Sequence, residues 1–145
     1  VSLLQAGGLD PDTFWQGSYP ENCGAHLLFA GTVRNIHEGE AVTAIHYHAY
    51  TPLAEKALLD IQKSIAQEFG VICRVLHATG LLQVGEVSVL VGCRGGHRAE
   101  VFEACRMAME RIKSQVPVWK EEFFADGRVS FVKGVPIQAA AELLA

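Results

Sequence analysis

The sequence predicts an α+β fold, and three observations predict it. Two stretches, 51–70 and 100–117, carry helical periodicity bounded by start and stop signals. The segments around them alternate or run apolar over strand lengths. The order is then strands, helix, strands, helix, strands, which is not the repeating strand–helix–strand pattern of a doubly wound sheet. With 145 residues, half of them hydrophobic, the chain is expected to form one domain around one core, with its body at about 14–132 and a tail at 134–145 that can be flexible.

Taken in order, "LDPDTFWQ" reads as a short helical start with Asp10 as cap and Pro11 in the first turn. "AHLLFAGTVR" reads as a strand ending near Arg34, and "NIHEGEA" as a loop. In "VTAIHYHAY", Ile45, Tyr47 and Ala49 share one face and His46 and His48 the other. "TPLAEKALLDIQKSIAQEFG" is the clearest helix: Thr51 is its expected cap, Pro52 its first position and Gly70 its stop, with Leu53, Ala57, Leu58, Ile61, Ile65 and Phe69 as the buried stripe. "VICRVLHAT" and "EVSVLVGC" read as strands. The second helix runs from about Glu100, with Phe102, Cys105, Met109 and Ile112 expected inward and Pro117 ending it. "VPVWKEEFF" and "VSFV" are the expected closing strands.

Composition narrows the function. A net charge of −4 argues against nucleic-acid binding. No apolar run reaches the ~20 residues of a membrane span. The first residues lack a basic region and a long apolar core, so no signal peptide is expected. Four cysteines without a C-x-x-C pair suggest reduced thiols and a cytoplasmic protein. Eight of the twelve Lys and Arg residues lie after residue 90, a local cluster suited to a small anionic ligand.

The sharpest candidate is "GGHRAEVFEACRMAMERIK". A helix N-terminus is already partly positive, yet this one is entered through Gly95, Gly96, His97 and Arg98. The glycines permit close backbone approach or positive φ, and the two side chains can add charged hydrogen bonds to a bound anion. The plainer reading is a glycine turn followed by two surface residues. Lys113 and Lys120 are unremarkable singly. Gathered with Arg98 in one pocket, they would depress each other's charged forms and supply an acid, base or nucleophile. His46 and His48 share one strand face and can ligate a metal, but without a third ligand in register the pair is weak evidence, and a solvent-facing or interface role is the stronger reading. A Cys93/His97 nucleophile lacks an orienting acid, so a buried strand-end cysteine is the stronger reading.

The segments "FAGTVRNIHEGEAV", "AYTPLAEKAL", "GLLQVGEVSVLVGCRGGHRAEVFEA" and "IKSQVPVWKEE" together resemble the large, catalytic subunit of molybdopterin synthase. The resemblance implies an α/β hammerhead fold with an additional antiparallel β subdomain. It implies a central homodimer carrying a small ubiquitin-like sulfur carrier at each outer end, a heterotetramer overall. The implied reaction is a sulfur transfer: the thiocarboxylated Gly-Gly tail of the carrier delivers two sulfurs to cyclic pyranopterin monophosphate, giving the molybdopterin dithiolene, with no cofactor or metal of its own. By the same resemblance, His97 and Arg98 bind substrate phosphate, and Lys113 and Lys120 are the catalytic pocket lysines. Thr32, Val33 and Arg34 line the pocket, with Arg34 reaching across the dimer, and Glu121 and Glu122 belong to the substrate-binding stretch. The chain departs from the family pattern at Ala78, Glu121 and His48, where Arg, a basic residue and an acidic residue are common. The alternative is a non-catalytic anion- or carrier-binding scaffold of the same fold, against which the presence of both lysines speaks.

Overall fold

The computed structural model describes residues 2–15 and 19–132. Its elements are β1 (Leu4–Ala6), a short 3-10 turn (Pro11–Thr13), β2 (Ala25–Thr32), β3 (Ile36–His37), β4 (Glu40–Ala49), α1 (Thr51–Phe69), β5 (Ile72–Gln83), β6 (Val87–Gly95), α2 (Arg98–Gln115), β7 (Val118–Phe124) and β8 (Val129–Val132). The expected tail at 134–145 lies outside the described residues.

One eight-stranded sheet runs β2-β6-β5-β4-β7-β8, with β1 added to β5 and β3 to β4. All pairings are antiparallel except β1 with β5. The two helices pack on each other, α2 against β6 and β2 and α1 against β5 and β1. This is the α+β arrangement expected from the element order, with β4, β7 and β8 forming the additional antiparallel subdomain.

The strand β5 joins the two halves. Ile72 to His77 pair with β6, then Gly80 to Gln83 pair with β4. The strand was expected to stop at Thr79. It continues because Gly80 takes φ +85, which lets the backbone turn without a Cβ penalty and change partner. The "NIHEGEA" loop is instead a tight hairpin, since Glu38 and Gly39 both have positive φ and link β3 to β4.

The central strand β6 is buried continuously from Ser88 to Gly95 because both its faces are covered. Cys105 of α2 reaches the Val91 carbonyl on one face, and Phe14 and Trp15 lie against Gly92 on the other. Pro52 and Gly70 bound α1 as predicted, Gly70 at φ 65 with its N–H donating to Ala66. The cap is Tyr50 rather than Thr51, which is already helical and makes no side-chain cap bond. The stripe holds at Ala57, Leu58, Ile61 and Ile65, with Ala54 added and Leu53 and Phe69 only half-buried. In α2 the buried residues are Val101, Ala104, Cys105, Ala108 and Ile112. Phe102 was expected inward but is 58% exposed, because the narrow stripe of small residues beside it already meets the sheet. Asp10 does accept a hydrogen bond from the Asp12 N–H at 2.9 Å, though over a single 3-10 turn.

Candidate active site

A cavity of about 620 Å³ opens where the two halves of the sheet meet the C-terminal end of α2. That size suits a small-molecule ligand. Thr32 and Arg34 reach it from the end of β2, Lys113 from the last turn of α2 and Lys120 from β7. A cation in the last helical turn is favoured by the dipole, so Lys113 sits there at little electrostatic cost. Lys120 is placed by strand alternation: it pairs with Tyr47, which faces the same cavity.

Four of the predicted site residues therefore converge: Thr32, Arg34, Lys113 and Lys120. Cations do crowd there, but the one beside Lys113 and Lys120 is Arg34 and not the Arg98 that was expected. Lys120 is exposed, yet its pKa is lowered, first by partial desolvation of the ammonium and then by Lys113, with Glu122 opposing and Arg34 adding to the shift. A lysine so placed gives up its proton more readily than a free one, which favours it as a proton donor.

Tyr47, His77 and Ser88 form part of the cavity wall and were not singled out in the sequence. His77 is buried, and its Nδ1–H donates to the Ala78 carbonyl oxygen at 2.7 Å. Burial lowers its pKa, opposed by that hydrogen bond and reinforced by Lys120, so it is a neutral imidazole edge-on to Tyr47. Burial raises the pKa of Tyr47, with a Ser88 hydrogen bond opposing. The alternation of β4 placed Tyr47 on the inner face, and that was the available signal.

The expected pocket residues are placed differently from one another. Arg34 lines the cavity of its own chain beside Lys113 and Lys120. Val33 is 3% exposed and packs in the core, its N–H donating to Glu86. Glu122 is buried and accepts from His37 Nδ1–H at 2.6 Å, so it is held by β3 rather than turned to a ligand. Glu121 alternates to the opposite face of the sheet and meets His48.

His97 and Arg98 lie at the other end of α2. Fifteen residues of helix separate Arg98 from Lys113, about 22 Å at the α-helical rise, so the two cannot share one pocket within a chain. Both are exposed, and among the described residues neither pairs with a carboxylate side chain. The His97 N–H donates to Glu100 at 2.5 Å, which serves the N-terminal dipole from within. Neither Gly95 nor Gly96 has positive φ. Gly95 is required by packing instead: a Cβ there would come within 2.9 Å of Val101 and 3.0 Å of Val71. Cys93 is fully buried; a bond with Cys105 pulls its thiol down, but Cys73 and burial together push it up to about 12, which excludes it as a thiolate nucleophile near neutrality.

A second, shallower groove of about 570 Å³ runs between β2 and α2, lined by Leu27, Leu28, Phe29, Phe102 and Met109. It meets the main cavity at Phe29, Met109 and Lys113. The outward Phe102 is thus part of an apolar surface that ends at a catalytic candidate.

Comparison with known proteins agrees with this fold. The family described as MoaE protein matches residues 4–115. Molybdopterin synthase catalytic subunit 1 of Mycobacterium tuberculosis is 40% identical over 111 residues, covering 76% of this chain and 75% of that protein. The crystal structure of molybdopterin synthase from Staphylococcus aureus superposes with a TM-score of 0.84 at 31% identity, covering 91% of this chain and 96% of the other. A complex of subunits 1 and 2 of molybdopterin-converting factor from Helicobacter pylori shares the fold, with a TM-score of 0.73 at 20% identity over 98% of this chain and 99% of its match. With the pocket lysines, the strand-end arginine and the sheet extension all in place, the chain belongs to the MoaE family, that of the molybdopterin synthase catalytic subunits.

Proposed function

We propose that the chain catalyses the sulfur transfer of molybdopterin synthase, acting in the cytoplasm as a single-domain subunit of a heterotetramer. The observation that carries this reading is the convergence of Lys113, Lys120 and Arg34 on one cavity from three distant parts of the chain. The two reactants, a carrier thiocarboxylate and a cyclic pyranopterin monophosphate, are both anions, and bringing them together is electrostatically uphill. Three cations around a partly desolvated cavity offset that repulsion and stabilise charge developing on a phosphate oxygen. Lys120, with its lowered pKa, is suited to hand a proton to a leaving oxygen. Lys113, where the apolar groove enters the cavity, is suited to hold the carrier's terminal carboxyl sulfur. The charge stabilisation comes from side chains, so the reaction is proposed to need no metal cofactor.

The groove lined by Leu27, Phe29 and Phe102 supports docking of the small carrier, since a tail laid along it ends at Lys113. The H. pylori neighbour is a complex of two subunits, which fits such a surface. His97 and Arg98 enter the same scheme only from a second copy of the chain. We therefore place them in the partner's site, binding substrate phosphate at a helix N-terminus, and leave Arg34 in its own. The test is reconstitution with thiocarboxylated carrier and the cyclic pterin. The dithiolene product is expected with the parent protein and lost with Lys113→Ala and Lys120→Ala; if the folded parent forms no product, the reading is wrong.

A further inference from the structure

The outer face of the β4–β7 pair carries a second cluster, separate from the cationic cavity. His46 and His48 sit two residues apart on β4, and Glu121 of β7 is the register partner of His46. Strand alternation therefore puts all three on one face. His46 Nδ1 lies 3.0 Å from His48 Nε2, and His48 Nε2 lies 3.1 Å from Glu121 Oε1. One donor atom from each residue falls within 4.8 Å of the other two. The third ligand absent from the sequence pattern is supplied by the register.

A single hydrogen cannot satisfy all three of these atoms. Imidazole Nε2 of His48 holds at most one hydrogen. If that hydrogen is present, it is shared between the lone pairs of Glu121 and His46. If it is absent, His46 Nδ1–H can donate to His48, but the Glu121 carboxylate then faces a bare nitrogen lone pair at 3.1 Å. Either way, three basic atoms converge around a single hydrogen. A divalent cation at their centre would satisfy all three at once.

We propose that His46, His48 and Glu121 form a binding site for a late first-row divalent cation of the zinc class, with water completing the coordination. Two imidazole nitrogens and one carboxylate oxygen are a recurrent donor set for such ions. Tetrahedral coordination at zinc–ligand lengths separates donors by roughly 3.3 Å, close to the two shorter separations here. Trp119 stacks on the His48 ring at 5.9 Å with a 17° interplanar angle, and Phe131 lies at 6.1 Å, so an apolar wall steadies the ligand ring. The His rings and Glu121 are only half-buried, which leaves a route for the ion. Such an ion ties β4 to β7 one residue from Lys120. It is a clip on the strand that presents the lysine, and no reactant touches it.

The test uses the full chain stripped of metal with a chelator, then titrated with Zn²⁺ by calorimetry and with Co²⁺ by visible absorption. One equivalent per chain is expected, with a Co²⁺ spectrum free of thiolate charge transfer. In the parent protein, histidine ring NMR signals of His46 and His48 should shift on adding Zn²⁺ while that of His26 stays fixed. His48→Gln and Glu121→Gln should each weaken binding at least tenfold, in line with loss of a ligand. Saturating Zn²⁺ should raise the Tm of the parent and not that of His48→Gln. The proposal is overturned by absence of stoichiometric binding, by full affinity in folded His48→Gln, or by a spectrum showing cysteine ligands. The parent NMR titration decides the matter should a variant fail to fold.

Discussion

The two ends of α2 carry cations for different reasons. At the C-terminal end, Lys113 stands where the helix dipole welcomes positive charge, and it closes a cavity with Lys120 and Arg34. At the N-terminal end, His97 and Arg98 stand where the dipole opposes them, exposed and without a carboxylate partner among the described residues. One end faces a cavity and the other faces solvent. The difference is that the dipole accounts for Lys113 and leaves His97 and Arg98 unaccounted for, and an external anion at that end, as proposed above, would supply the missing reason.

The largest expected effect tests the cavity end. Lys113→Ala and Lys120→Ala should each lower turnover by roughly 100-fold or more, as removal of an acid or of preorganised charge does, with unchanged circular dichroism. Parental turnover in either variant would separate the cavity from the chemistry. The pH profile sharpens the same point. Because the Lys120 pKa is lowered, its protonated form disappears on the alkaline side earlier than that of a free lysine. The rate should fall as pH rises through that window, below the ordinary lysine value of 10.5. Stability should move oppositely, rising with pH there, since the unfolded chain holds more protons than the folded one.

Subunit mixing tests whether the two ends act in trans. Lys113→Ala mixed with Arg98→Ala should recover about a quarter of parental activity at full exchange, since half the dimers are mixed and each has one intact site. Lys113→Ala mixed with Arg34→Ala should recover nothing, because both residues line the same cavity. Recovery in the second mixture and not the first would reverse the assignment.

Smaller effects separate packing from charge at the N-terminal end. Gly95→Ala should destabilise by about 1–3 kcal/mol through overpacking, as its Cβ meets Val101 and Val71, measured by urea unfolding. Glu100→Ala should cost about 0.5–1 kcal/mol through loss of the bond from the His97 N–H and of its dipole interaction. An equal loss in both would mean that the glycine serves no close approach.

Much of the fold is legible because its signals are local. Pro52 and Gly70 bracket α1 within one residue at either end, since a missing N–H and a left-handed stop act where they stand. Phe102 misleads because helical period locates a face without saying what covers it. The convergence of Arg34, Lys113 and Lys120 depends on sheet register across the whole chain, and in the sequence it is carried by the family resemblance alone. Register also decides Glu121: a one-residue shift of β7 would have put it in the cavity and Lys120 outside. The separation of Arg98 from Lys113 was available in the sequence, since helix length follows directly from residue count.

The double membership of β5 has a mechanical consequence. A strand hydrogen-bonded to β6 over its first half and to β4 over its second carries load between the helix-covered sheet and the antiparallel extension. Neither part can peel away without stripping one half of the same strand, so thermal opening of the extension is coupled to opening of the body. Amide exchange along β5 would then report one shared protection level on both sides of Gly80 in place of a step. The cavity lies at this junction, its wall residue His77 coming from β5 itself and Tyr47 and Ser88 from the strands β4 and β6 on either side. Its shape is thereby held by the most cross-braced segment of the chain, leaving recognition to edges and helix ends that can yield.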